Sequence, residues 1–361
     1  MSQLARRAFP PVFMLVALAL AVSGPGARAQ EAVAAYGAAQ PAETLLVRGT
    51  TDIVAFAPVL QAFAAATPGL AIRYEQWGSN DLYSLAEAAC RGSGVAADMV
   101  ISSAVDQQTR LVNDGCARPY SSALTEALPP ALNWRSELFG VTEEPVVIVY
   151  NRDLVSPEEA PHSRFDLIDL LSAPDSRFAG RVATYDIEAS GLGYLLAFAD
   201  AQQATTFGRL FEAFGRSGAV ATCCSAEIID GVAEGRYLVA YNVLGSYALE
   251  RAAREPRLAV VAPQDYTLML SRAALIPKRA ANPLAADAFL EFMLSDAGRQ
   301  ALAASRLIIA FGNGDGAELE TPDGAVSVLR PIALTPALLV GLDQHKRALF
   351  IDRWRAALRK E

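Results

Sequence analysis

The chain has 361 residues, 52% hydrophobic and 19% charged, with 39 acidic against 31 basic side chains and a formal net charge of −8. An acidic balance of this size excludes nucleic acid and an anionic membrane surface as partners, because the overall field repels both. Such a length is too great for one ordinary core and suits two domains.

Arg6 and Arg7 precede an apolar run at 9–22, and Ala27-Arg28-Ala29 reads as a small-x-small cleavage site before Gln30. The pattern predicts a signal peptide over 1–29 and an exported, periplasmic protein. The run is too short and too flanked by Pro10, Pro11 and Pro25 to span a bilayer, and no later segment is apolar for long enough. Removing 1–29 takes away Arg6, Arg7 and Arg28 but no acid, leaving 28 bases against 39 acids, a charge of −11. Any anionic ligand must therefore be held by local donors.

Residues 30–43 are alanine-rich and read as a loose leader. A short buried strand is expected at 45–48, ended by Gly49, and then a helix at 53–66 with Phe56, Val59, Leu60 and Phe63 at helical spacing. Pro58 is tolerable only in the first turn or two of that helix. The turn between them leaves backbone N–H groups free with a helix dipole behind, and Thr50 and Thr51 add hydroxyls. Such a turn grips a carboxylate or phosphate, or Thr50, Thr51 and Asp52 simply cap the helix.

An alternating strand follows at 70–75, then a helix at 82–90 capped by Ser79 or Asn80. A strand at 97–103 ends in Ser102 and Ser103, with a helix at 107–113. This rhythm predicts an α/β domain, a parallel sheet covered on both faces. The apolar strand at 144–151 is long enough to cross between domains. Beyond it come helix 165–171, strand 181–185, the Ser190-Gly191 turn with a helix to 200, and helices 205–216 and 227–234. Strand 238–242 leads through Ser246 and Tyr247 into a helix to 254, and 258–263 with 266–276 read as the return crossing. Helices are expected at 283–294, 295–305 and 342–360.

Cys90, Cys116, Cys223 and Cys224 are an even set in an exported chain. Cys90 with Cys116 is the preferred pair, while Cys223 and Cys224 form a vicinal bridge or stay as thiols. Their spacing matches no zinc pattern, and with His162 and His345 as the only histidines no metal cage is expected. A nucleophile elbow, P-loop, dinucleotide fingerprint and His-Glu-x-x-His are all missing, so the chain does not read as an enzyme.

Several stretches together resemble the extracytoplasmic solute-binding proteins of bacterial ABC importers, in particular the iron(III)-, phosphoglycerate- and hexose-phosphate-type binders. They are Arg48-Gly49-Thr50-Thr51-Asp52, Glu75 to Tyr83, Ala97 to Ser103, Val149-Tyr150-Asn151 and Ala240 to Tyr247. The tail from Gly341 to Arg347 is similar to members encoded beside two-component sensor kinases. The resemblance implies a two-lobed periplasmic-binding-protein (Venus flytrap, type II) fold with two crossover strands. It places 44–146 plus 265–361 in lobe 1 and 147–264 in lobe 2, closing on a hinge. It implies ligand contacts at strand ends facing the cleft: Thr50, Thr51, Asn80, Ser102, Ser103, Tyr185, Ser190, Gly191, Asn242, Ser246 and Tyr247, with no metal and no cofactor. The partners implied are a small-molecule anion, an ABC permease of the inner membrane and a sensor histidine kinase.

The iron binders carry two adjacent tyrosines where this chain has Tyr247 followed by Ala248. Ferric iron prefers several anionic oxygens, so the broken pair favours a phosphorylated or carboxylated organic ligand and leaves ferric iron as the alternative. Tyr74, Trp77 and Tyr83 either line the cleft or pack under loops, and Asp186 and Glu188 meet sugar hydroxyls or solvent. Arg48 is expected to face a ligand anion or Asp52, and His345 to lie on the surface.

Overall fold

The structure is a computed structural model that describes residues 30–173, 175–203, 206–309 and 327–358. The signal peptide expected at 1–29 lies outside the described residues. Strands β1 (Gln30–Gly37), β2 (Glu43–Gly49), β3 (Leu70–Trp77) and β4 (Met99–Ser102) come with helices α1 (Ile53–Ala66), α2 (Ser79–Cys90) and α3 (Val105–Asn113). Next are α4 (Ala123–Glu126), β5 (Asn133–Trp134), β6 (Leu138–Gly140) and the long β7 (Glu144–Asn151). The middle of the chain forms α5 (Arg164–Ser172), β8 (Val182–Tyr185), α6 (Gly191–Gln203), α7 (Phe207–Ser217) and β9 (Val220–Thr222). After these come α8 (Ser225–Ala233), β10 (Val239–Leu244), α9 (Gly245–Ala252) and β11 (Leu258–Val261). The last part holds β12 (Thr267–Leu270), β13 (Ala273–Leu275), α10 (Pro283–Leu294), α11 (Asp296–Ala304), β14 (Leu329–Pro331) and α12 (Gln344–Leu358).

Two sheets result. The first runs β1-β3-β2-β4-β13-β6-β5, and the second runs β14-β12-β7-β10-β8-β9 with β11 also on β7. Neither is purely parallel. The parallel set β3-β2-β4 is flanked by antiparallel β1 and β13, and the parallel set β10-β8-β9 by antiparallel β7. The wholly parallel sheet expected from the rhythm is therefore corrected to a mixed one, because both crossover segments return antiparallel to the strands they join. The loose leader is corrected too. Residues 30–37 form an edge strand whose backbone pairs with β3, and ladder bonds ask no hydrophobicity of its small side chains.

The chain passes between sheets at 141–143, joining β6 to β7, and at 271–272, joining β12 to β13. Residues 266–276 are thus two short strands in different sheets, with Ser271 and Arg272 between them. β14 joins the second sheet beside β12 and α12 packs on α7, although 265–361 was expected in the first lobe.

Phe56, Val59, Leu60 and Phe63 of α1 bury against the first sheet together with Phe289 of α10. A second cluster lies under α5 and α7, around Leu167, Leu210 and Phe214. A third is shared, with Leu82, Val100 and Val105 from the first lobe packing in one cluster with Tyr185, Leu192 and Leu195 from the second. The lobes are closed on one another. Cys90 is bonded to Cys116 as expected, with Cα atoms 5.3 Å apart, and Cys223 is bonded to Cys224. Among the described residues no helix is long and apolar enough to cross a membrane.

Candidate functional site

The junction between the lobes is built where strands end and helices begin. α1, α2, α3 and α9 all start there, and none has a capping bond from its own N-cap side chain. α7, α8 and α10 also lack such a bond, whereas α4, α5 and α11 are capped by Ser122, Ser163 and Ser295. Other side chains take some of the first-turn amides, Ile53 N donating to Gln76 Oε1 and Gln107 N to Asp106 Oδ1, both at 2.9 Å, while the helix dipoles direct positive potential at the junction.

Asp52 is the N-cap of α1, yet its carboxylate turns away from its own helix. Oδ1 accepts from Tyr247 Oη across the junction at 3.2 Å, and the Asp52 amide donates back to that phenol oxygen at 3.2 Å. Gln76 braces the carboxylate from β3 at 3.2 Å. Burial raises the Asp52 carboxyl above its ordinary value, against the opposing influence of the Tyr247 bond and the Arg272 charge. Burial likewise pushes the Tyr247 phenol up to about 12.

Behind this pair lies Arg272, from the crossover between β12 and β13. Its Nε and Nη2 meet both oxygens of Glu144 at 2.8 and 3.1 Å, and Nη1 donates to Thr51 Oγ1 at 3.1 Å. The guanidinium carbon stands 5.6 Å from the Tyr247 ring centroid, within cation–π reach. Glu144 also accepts from Thr142 and Ser246 hydroxyls, so both of its oxygens are fully engaged. Burial opposes the Arg272 charge, but the Glu144 carboxylate outweighs it and keeps the guanidinium protonated.

Each residue expected from the sequence can now be placed. Thr51, Ser246 and Tyr247 belong to the junction. Thr50 and Ser103 staple the neighbouring turns to each other, with Ser103 N to Thr50 Oγ1 at 3.0 Å, and Ser102 accepts from Ala104 N at 3.1 Å. Tyr185 is buried beside Ser225 and bonds to it. Ser190 caps the first turn of α6 through Gly193 N at 3.0 Å. Asn80 and Gly191 make contacts across the lobes rather than around an opening: Asn80 donates to Glu188 O and Ala189 O, and Gly191 N donates to Ser79 Oγ. Asn242 is remote. Its left-handed φ of 65° aims the amide at Asp200 in the second lobe's core, where Arg164, Tyr241 and Tyr266 converge on the same carboxylate.

Arg48 faces neither ligand space nor Asp52; it pairs with Glu75 at 2.9 Å. Tyr74 is buried under the turn and donates to Thr51 O at 2.7 Å. Arg272 and Glu144 escaped the sequence reading. The signal for Arg272 was a lone charge in the apolar stretch 266–276, a position that requires a buried partner, whereas Glu144, beside Glu143 at the start of β7, carried no such signal. Beside Asp52 and Tyr247 opens a cavity of about 460 Å³ between the lobes, lined also by Val54, Ala226, Asp230 and Arg251. A larger one, about 1420 Å³, lies away from the junction between α7 and α12.

A fold of two α/β lobes closing on a polar junction defines a ligand-capturing protein. The chain belongs to the bacterial extracellular solute-binding protein family, whose model matches residues 44–305. It is similar to the crystal structure of the substrate-binding protein of an ABC transporter from Agrobacterium tumefaciens, at 34% identity and a TM-score of 0.81, covering 91% of this chain and 98% of that one. The same fold recurs in AfuA from Actinobacillus pleuropneumoniae with exogenous fructose-6-phosphate bound, at 18% identity, TM-score 0.67, and 88% and 99% coverage. Iron-bound HitA from Pseudomonas aeruginosa shares it at 18% identity, TM-score 0.64, and 87% and 99% coverage. No curated protein matches the chain. The chain is therefore a substrate-binding protein of the ABC transporter type, with no catalytic constellation among the described residues of the junction.

Proposed function

We propose that the protein captures a small organic anion, phosphorylated or carboxylated, between its lobes in the periplasm and delivers it to an ABC permease. The observation that supports this most is the meeting of the α1 and α9 N-termini across the lobes, where the Asp52 amide donates to Tyr247 Oη in the first turn of α9. Their amides and the Tyr247 phenol supply donors, while Glu144 offsets the Arg272 charge. Recognition then rests on hydrogen bonds and helix dipoles rather than on a free cation. Asp52 and Tyr247 form the wall we assign to the ligand, and Thr50, Thr51, Ser102, Ser103 and Ser190 hold the backbone that presents it. A thermal-shift screen tests this, because a ligand that binds only the folded chain raises its apparent melting temperature. Stabilisation by phosphorylated or carboxylated metabolites is expected; stabilisation only by neutral sugars or amines would refute the anion.

A ferric reading has one specific observation in its favour. Asp52 Oδ1 and Tyr247 Oη stand 3.2 Å apart across the junction, a spacing at which one hard cation can bridge two oxygens. Adding Fe(III) separates the two, since phenolate ligation produces a visible absorption band and an organic anion does not. The partner side has its own alternative, a sensor histidine kinase that reads the loaded form. Deleting the gene and following both uptake and expression of the neighbouring operon distinguishes them: lost induction with intact uptake points to the kinase.

A further inference from the structure

The lobes meet a second time, away from Asp52 and Tyr247. At the start of α2, Ser79 Oγ accepts from Gly191 N at 2.9 Å, and Asn80 Nδ2 donates to Glu188 O and Ala189 O at 3.0 and 2.9 Å. Gln107 of α3 donates from Nε2 to Asn80 Oδ1 at 2.8 Å, which fixes the orientation of the Asn80 amide. On the far side of the same turn, the Glu188 carboxylate is held by Arg355 of α12, Nε to Oε1 at 2.8 Å.

Gly191 is the tightest point. A Cβ built there would stand 2.5 Å from Gln107 Nε2, 2.9 Å from Gln107 Cδ and 3.0 Å from Asn80 Oδ1. All three nearest atoms belong to the opposite lobe. Gly191 is not among the residues with positive φ, so its own backbone accepts a side chain. The absence of a Cβ at 191 therefore matters to the approach of the lobes and not to the local fold of the second lobe.

We propose that Ser79, Asn80, Gln107 and Gly191 form a closure latch, a set of positioning residues that fixes the balance between open and closed lobes. The bonds from Ser79 and Asn80 to the turn at 188–191 join the two lobes and exist only in the closed form, while the Gln107 bond, within the first lobe, orients Asn80 for them. When the lobes part, water replaces these bonds, so each neutral one contributes only modestly to closure. The latch therefore biases closure without locking it. A ligand that needs the closed form has its apparent affinity scaled by the closed fraction, whatever the ligand is. Loss of the latch weakens all ligands in proportion, whereas loss of a ligand contact changes their ranking. The amide of Gly191, engaged by Ser79, acts in closure rather than in anion capture.

The test uses the ligand-free mature chain, so its outcome is independent of the ligand reading above. Small-angle scattering is recorded for the wild type, Gly191→Ala, Gln107→Ala with Gly191→Ala, and Asn80→Ala. In Gly191→Ala the new methyl clashes only in the closed form, and a larger radius of gyration is expected with an unchanged circular dichroism spectrum. Removing the Gln107 side chain in the double variant relieves that clash and brings the radius back toward the wild-type value. Asn80→Ala, which deletes bonds and adds no bulk, expands the protein even if the glycine variant folds poorly. Scattering from Gly191→Ala and Asn80→Ala that superimposes on the wild type would overturn the latch.

Discussion

Arg272 and Glu144 form a two-pronged ion pair inside the hinge, at 2.8 and 3.1 Å, with side chains 1% and 0% exposed. One comes from each crossover, Glu144 from the first residue of β7 and Arg272 from the link between β12 and β13, so the pair ties the two connections together. Replacing Arg272 by Met leaves a buried carboxylate without its cation. The expected cost is about 3–5 kcal/mol of unfolding free energy, measured by urea titration, because breaking a buried pair costs far more than the intact pair contributes. Replacing both partners by apolar residues should cost much less. A loss below 1 kcal/mol in the single variant would mean that water reaches the hinge.

Asp106, at the start of α3, is fully buried, and its carboxyl is pushed from 3.8 up to about 7 by burial, against bonds from the Gln107 and Asp106 amides and the Arg347 charge. A carboxyl raised in the fold favours the folded state while it is protonated. Its contribution is complete below pH ~4 and is lost as the pH rises through about 7. Asp106→Asn should flatten that part of the stability profile and make the protein more stable above pH 7, by a few kcal/mol at most at ~1.4 kcal/mol per pH step. Chemical denaturation from pH 4 to 8 reads this directly. A parallel profile in the variant would assign the slope to other groups.

Tyr247 both accepts from the Asp52 amide and donates to its carboxylate across the lobes. Tyr247→Phe keeps the ring over Arg272 and removes only the hydroxyl. Ligand affinity should fall by about 0.5–1.5 kcal/mol for a neutral bond, or up to ~3 to a charged group. The ligand-free melting temperature should barely move. Equal affinity in the variant would place the ligand elsewhere.

The bridge between Cys90 and Cys116 closes a loop of sequence separation 26 and joins the end of α2 to the turn after α3. Thiol counting on the unfolded, unreduced chain should find no free cysteine. Replacing both by serine should cost about 3–4 kcal/mol, mainly by freeing the unfolded chain.

Much of the fold was legible because its signals are local. The helical spacing of Phe56, Val59, Leu60 and Phe63, and the apolar run of β7, dictate their elements without knowledge of neighbours. β1 was not legible, since an alanine-rich edge strand is defined by the ladder bonds of β3 and not by its own side chains. Strand direction was also hidden, because it depends on which sheet each crossover enters. Thr51, Ser246 and Tyr247, named from turn chemistry, lie together at the junction. Asn242 misled, because a polar residue at a strand end reads the same whether it faces a cleft or, as here, a buried carboxylate such as Asp200. Arg272 and Glu144 needed three dimensions, as 128 residues separate two charges that only the folded hinge pairs.

The most direct measurement is native mass spectrometry of the protein purified from the periplasm without added ligand, followed by denaturation to release what it carries. The expected result is one phosphorylated or carboxylated metabolite per chain, retained by the wild type and diminished in Tyr247→Phe. Recovery of iron with a visible phenolate band, or of a neutral compound retained equally by both proteins, would contradict capture of an organic anion at the Asp52–Tyr247 junction.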